Sequence, residues 1–315
     1  MVDPRAFALG AVAVIALSGV AAAADLLPPP PPMDAPAPIV SADLGGWYLR
    51  GDVGLGFNNH PSFSTSPDPL ATGLASGYYS NTATEGFFNP TLSASGLFDI
   101  GVGYQVNNWF RTDITGELRG GASFQGLEVV NDSNWPGDKT GTYNQVQYAD
   151  FYRANLTSYL LMWNAYADLG TWYGLTPYVG AGLGASYNHL SGGTDNGFSS
   201  FGNSATGAFQ SYATGGYLDD GSHLDFAWAL MAGLDFSVTR NLKLELGYRF
   251  LDYGKFASGS SNCLAGANGG GAAFQGCSYK ISSKELTSND VRVGLRYYLD
   301  VESPAPPPAP LVRKY

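Results

Sequence analysis

The stretch Gly46–Phe57, GWYLRGDVGLGF, decides how the chain is read. Trp47, Leu49, Val53, Leu55 and Phe57 take every second position apart from Gly51, while Tyr48, Arg50, Asp52, Gly54 and Gly56 fill the alternate slots. Successive side chains on a strand point to opposite faces, so one face is apolar and the other carries charge and glycine. The pattern predicts a strand. Which face meets water has to be settled by the rest of the chain.

The same grammar recurs. Strand candidates follow at LFDIGVGYQV (97–106), FRTDITGELR (110–119), TPYVGAGLGASY (176–187), LDFAWALMAGLDFSV (224–238), LKLELGYRF (242–250) and DVRVGLRYYL (290–299). A further candidate, roughly Phe151–Ala167, loses the alternation at LLMW (Leu160–Trp163), which leaves its facing open and suggests a bulge. Seven of these eight segments share the period-2 patterning, which predicts an all-β chain. The connections alternate in length. Short ones span 107–109, 169–175 and 239–241; long ones span 58–95, 120–150, 188–222 and 252–284. Tight turns at one end and long Gly/Ser/Asn/Thr-rich links at the other are the pattern of an outer-membrane barrel.

Composition agrees. The 315 residues include 42 Gly and 14% aromatics but only 13% charged residues, low for a helical or disordered chain. A net charge of −10, with no basic stripe, argues against nucleic acid as a partner. Residues 1–24 read as a cleaved signal peptide: Arg5, an apolar run over 6–20, then Ala21–Ala24. A proline-rich linker follows at 25–45, and a second proline-rich tail covers 301–315, flanking a barrel at 46–300. Cys263 and Cys277 are the chain's only cysteines and, in an exported protein, are expected to form a disulfide. Closing that ring of 15 residues stabilises by about 3 kcal/mol on the chain-entropy model.

Three features point the apolar face at lipid rather than at an enclosed ligand. Leu, Phe, Trp and Tyr crowd that face, whereas glycine sits among the charges, and an eight-stranded interior has little room. The polar face sums to neutrality, with Arg50, Arg111, Arg119, Lys243, Arg249, Arg292 and Arg296 against Asp52, Asp99, Asp113, Glu117, Asp225, Asp235 and Glu245. Paired charges tolerate enclosure, where lone ones do not. Finally, Trp47, Trp109, Phe110, Trp172, Tyr173 and Tyr297 lie toward the short turns, and Phe57, Tyr187, Phe226, Trp228, Tyr248 and Phe250 toward the long links. Two aromatic girdles are expected of a membrane barrel.

The opening stretch, NAYADLGTWYGLTPYVGAGLG (164–184) and NDVRVGLRYYL (289–299) together resemble the eight-stranded outer-membrane β-barrel proteins of alphaproteobacteria, similar in fold to the OmpA membrane domain and opacity-type proteins. The likeness spans roughly 46–300. It implies an eight-stranded antiparallel transmembrane barrel, an outer-membrane location, surface-exposed loops and a structural or adhesive role, with a small-solute porin-like channel as the alternative. One departure is the extension 301–315 beyond the last strand, where many such proteins end on an aromatic residue.

Chemistry is sparse. The three histidines, His60, His189 and His223, fall at strand ends on the long-link side, and His223 with Asp225 is unaccompanied by a nucleophile motif. Asp219 and Asp220 lack a calcium-loop spacing. The Gly-rich run 266–276 does not lead from a strand into a helix, so it is no phosphate cradle. The expectation is therefore no enzyme, no cofactor and no metal site. The expected partners are outer-membrane lipid and lipopolysaccharide around a monomer. An external ligand would be met by the loop aromatics Tyr78, Tyr79, Phe87, Phe88, Trp135, Tyr143, Tyr212 and Tyr217.

Overall fold

In the computed structural model, residues 46–263 and 279–299 are described. The signal peptide, the linker, the C-terminal tail and the Cys263–Cys277 pairing lie outside these described residues. In chain order the elements are β1 (Gly46–Asn58), β2 (Phe63–Ser66), α1 (Pro69–Ser76), β3 (Thr84–Leu92), β4 (Ser95–Gln105), β5 (Phe110–Asp132), β6 (Gln145–Asp168), β7 (Leu175–Gly202), β8 (Phe209–Leu218), β9 (Gly221–Ser237), β10 (Leu242–Asp252), β11 (Ser261–Cys263), β12 (Lys280–Ser283) and β13 (Thr287–Tyr298).

Eight of these close a ring. The antiparallel order is β1-β4-β5-β6-β7-β9-β10-β13, and β13 returns to β1 with Arg50 opposite Arg296 and Val53 opposite Val293. Closure leaves no unpaired edge around the ring. At the short-turn end, the Asn107 side chain accepts from the Trp109 and Phe110 amides at 3.0 and 2.8 Å, and Thr239 does the same for Asn241 and Leu242. Such side-chain turns let a strand reverse within a few residues.

Facing follows the alternation. Trp47, Leu49, Val53, Leu55 and Phe57 are about half exposed, while Tyr48, Arg50 and Asp52 are buried inside the ring. Apolar residues line the outside of every ring strand, among them Ile100, Ile114, Leu161, Leu183, Leu230, Leu246 and Leu295. A soluble barrel would reverse this. The fold is an eight-stranded transmembrane-type β-barrel, with lipid as the medium its outer face suits. No helix among the described residues is long and apolar enough to cross a membrane.

Two expectations need correction. The LLMW stretch carries no bulge: Leu160 and Met162 point in, Leu161 and Trp163 point out, and pairing is continuous there. The bulges lie elsewhere. On β5, Arg119 to Ala122 oppose Ser158 to Leu156 of β6; on β7, Ser191 to Thr194 oppose Asn155 to Arg153. Each holds one extra residue and a glycine with positive φ, Gly121 at 78° and Gly192 at 62°. The bulge reverses parity, so inward positions on β5 are odd-numbered up to Arg119 and even-numbered from Ala122.

The second correction concerns the long links, read as external loops. The 120–150 and 188–222 links are largely strand, because β5, β6 and β7 continue past the ring as a raised sheet. β3 joins its β5 edge and β8 its β7 edge, with β11 beyond β8. A separate two-stranded sheet, β2 with β12, supplies Phe63 and Ile281 to the apolar core at the mouth of the ring.

Candidate functional site

Two enclosed regions hold the side chains that could act: the ring interior, and the inward face of the raised sheet. In the ring, Arg50 reaches Asp52 at 2.6 Å, Asp113 at 2.9 Å and Glu245 at 3.0 Å. Arg292 bridges Asp52 and Asp99 at 2.5 and 3.0 Å. Arg296 grips Asp235 and Glu245, and Arg111 pairs with Asp168 at 3.1 Å while lying 3.6 Å from both Asp235 and Glu245. Higher in the ring, Arg119 and Arg249 each contact Glu117 and Asp290, at 2.6–3.1 Å.

Aromatic groups complete this network. Tyr48 donates to Asp113 at 3.1 Å, and the Arg50 guanidinium donates to the Tyr166 hydroxyl at 2.7 Å. Arg111 stacks 4.1 Å from the Tyr166 ring centre. Glycine makes the room: a Cβ on Gly294 would fall 1.6 Å from Asp52 Oδ1, and one on Gly56 would fall 2.1 Å from Arg119 Nη2. That is why glycine alternates with charge along β1 and β13. A cavity of about 10 Å³ lies among Arg50, Tyr166, Tyr178, Met231 and Arg292, about the space of a single water.

Of the fourteen charged residues proposed from sequence, twelve meet here and two do not. Asp225 lies 3.6 Å from His223 near the mouth, and Lys243 lies near the Tyr298 ring, 5.7 Å from its centre, without an ion pair within 4 Å. Sequence reasoning missed Asp168, the terminal inward residue of β6, and Asp290, which follows the inward Ser288 near the start of β13. Asp290 shares the inward parity of Arg292 and Arg296, the signal that could have found it. The expected neutrality also changes: six arginines face eight carboxylates, with Lys243 off to one side.

Nor is the interior ionic throughout. Above Arg119 and Arg249 it turns apolar, with Phe124, Leu156, Leu251, Phe256, Ile281 and Leu286 buried together. Phe63 meets the rings of Phe87, Phe124 and Tyr152 edge-on, with centres 4.9, 5.4 and 6.1 Å away.

The raised sheet is acidic inside. Glu128 accepts from Tyr152 at 2.7 Å and Thr65 at 3.3 Å; Asp195 accepts from Tyr279. Burial first, then the neighbouring Glu128, push Glu85 up to about 8. Burial and then Asp195 push Asp150 up to about 8 as well. The aromatics read as free loop contacts divide. Trp135 is buried against Tyr78 and Phe201, and Tyr79 and Tyr143 pack on the same cluster, whereas Phe88 and Tyr217 are exposed. On the outer face, His189 Nδ1 lies 2.9 Å from Ser222 Oγ, with its Nε2 3.9 Å from the exposed Asp220.

No protein-family model matches the chain. It is 30% identical over 293 residues to an uncharacterized protein of Brucella suis, covering 88% of this chain and 92% of that one. An uncharacterized protein of Brucella melitensis gives 30% over 298 residues with the same coverage. Among solved structures, similar ones are outer-membrane barrels. Neisserial surface protein A covers 81% of this chain and 97% of its own, at 14% identity and a TM-score of 0.39. Pseudomonas aeruginosa OprG covers 82% and 98%, at 12% identity and 0.35. The barrel assignment stands on the chain's own strand register.

Proposed function

The chain belongs to the family of these Brucella proteins, and we propose that it is an outer-membrane anchor that displays its raised sheet at the cell surface. In this reading residues 1–24 direct export and are removed, 25–45 and 301–315 remain as proline-rich segments on the short-turn side, and the barrel stands as a monomer among outer-leaflet lipid and lipopolysaccharide. The raised sheet is the working surface. Its outer face carries a rung of Phe88, Leu127 and Phe151, with Phe198 and Tyr217 nearby on β7 and β8. Exposed aromatics of this kind suit contact with a partner.

The observation that carries this reading is the filled lumen. Ion pairs occupy its lower part and an apolar core its mouth. An eight-stranded barrel packed in this way offers no path for hydrated solutes. Anchoring and display are what remains for such a wall to do.

Planar-bilayer recording with the purified, refolded chain tests this. Incorporated protein should stay electrically silent. Steady single-channel conductance would overturn the display reading in favour of the porin-like one.

A further inference from the structure

One rung of the raised sheet runs through Glu128, Asp150, Gly197 and Thr214, on β5, β6, β7 and β8. Oxygen atoms bound the space where Gly197 lacks a side chain. A Cβ there would lie 2.1 Å from the Ala149 carbonyl, 2.6 Å from Asp150 Oδ1 and 3.0 Å from Thr214 Oγ1. Buried side chains flank this cradle on the same face of β7. Asp195, 6% exposed, has an Oδ1 without a hydrogen-bond partner, and so has the Oγ of Ser199, 1% exposed. Thr214 Oγ1 is likewise buried and unpartnered.

No base answers these acids. The basic residues described in this half of the molecule, Lys139, Arg153, Lys255, Lys280 and Lys284, are all exposed. Two carboxylates brought close in a buried place require a proton or a cation between them. The surrounding unpartnered side-chain atoms are Asp195 Oδ1 and the hydroxyl oxygens of Ser199 and Thr214, more than one shared proton would satisfy. A metal ion would engage them. The donors are all hard oxygens in an irregular set, which suits calcium better than octahedral magnesium or a nitrogen- and sulfur-seeking metal.

We propose that Asp150, Asp195 and Thr214 bind a calcium ion over Gly197. The ion offsets both carboxylates and ties β6, β7 and β8 together. Through Asp195 it also tethers Tyr279, and with it the chain entering β12. The site depends on the raised sheet alone and not on how the barrel meets a membrane.

The test uses the full chain refolded in detergent micelles and stripped with chelator. Calorimetric titration with calcium should show one site with a Kd of about 10⁻⁴ to 10⁻³ M, the range of extracellular modules. Terbium should bind with tyrosine-sensitised luminescence that calcium displaces. D150N and D195N should weaken binding by at least about tenfold. T214V, which keeps the side-chain shape, should weaken it less, and the exposed pair D219N/D220N should leave it unchanged. Heat-modifiable gel migration reports barrel folding, and T214V decides the matter if the aspartate variants fail to fold. Absence of calcium binding in the folded wild type would overturn the proposal, as would proton uptake near pH 8 without metal binding. Binding insensitive to T214V and to any folded aspartate variant would do so too.

Discussion

The ring interior and the inward face of the raised sheet are both enclosed and both polar, yet they handle charge in opposite ways. In the ring every carboxylate of the network has an arginine within 4 Å, and Asp52, Glu117, Asp235, Glu245 and Asp290 each have two or more. In the raised sheet Glu85, Glu128, Asp150 and Asp195 gather with tyrosines and with each other. The contrast follows from the surroundings. A ring wrapped in hydrocarbon leaves its contents little water to lean on, so charges must be cancelled locally. The sheet stands clear of that wrapping, where a proton or an ion from the medium can serve instead.

The sharpest way to break this comparison is to remove one arginine from the ring. Arg296→Met strips Glu245 and Asp235 of a shared partner while keeping an unbranched side chain of similar reach. Leaving buried carboxylates short of a counter-charge costs about 3–5 kcal/mol. Urea unfolding from micelles should show a loss of that size. A loss below about 1 kcal/mol would mean that water reaches the network and that the two regions differ less than their geometry implies.

The outer wall comes next. Leu244 faces outward between Phe236 and Leu295 on the neighbouring strands. Leu244→Arg should destabilise the barrel in lipid by about 2–4 kcal/mol near the bilayer midplane. The same substitution at Thr157, outward but above Tyr159, should cost far less. Equal effects at the two positions would place the apolar wall in something other than hydrocarbon.

How far the sequence discloses this arrangement depends on parity. Arg50, Asp52, Arg292 and Arg296 are legible because an unbroken period of two runs through β1 and β13, and one greasy face orients every other residue. Asp168 closes its run at the end of β6, where no further alternation frames it, whereas Asp290 shares the unbroken inward parity of Arg292 and Arg296. Beyond Gly120 and Ser191 the rule inverts, since each bulge inserts one residue and exchanges the faces. Counting straight through would send Phe124 and Asp195 outward, although both are buried. Glycine marks a bulge and a loop with the same letter. The cradle at Gly197 was illegible for a different reason: Asp150, Thr214 and Asp195 come from three strands, and only their register brings them together.

Proton dependence gives the mildest and most selective test. Glu85 on β3 has a buried Oε1 without a partner, and burial, then Glu128 and Asp68, raise its pKa to about 8. An unfolded glutamate titrates near about 4.3. Between those values the folded sheet holds a proton that the unfolded chain has released. Its stability is therefore complete below the unfolded pKa and declines as pH rises through about 8. Fluorotryptophan at position 135, packed between Tyr78 and Phe201, reports the sheet selectively. Its urea midpoint should fall from about pH 5 to about pH 9, and Glu85→Gln should flatten the fall. A midpoint that stays level or rises would show that Glu85 is ionised in the folded sheet, and the raised sheet would then balance its charge as the ring does.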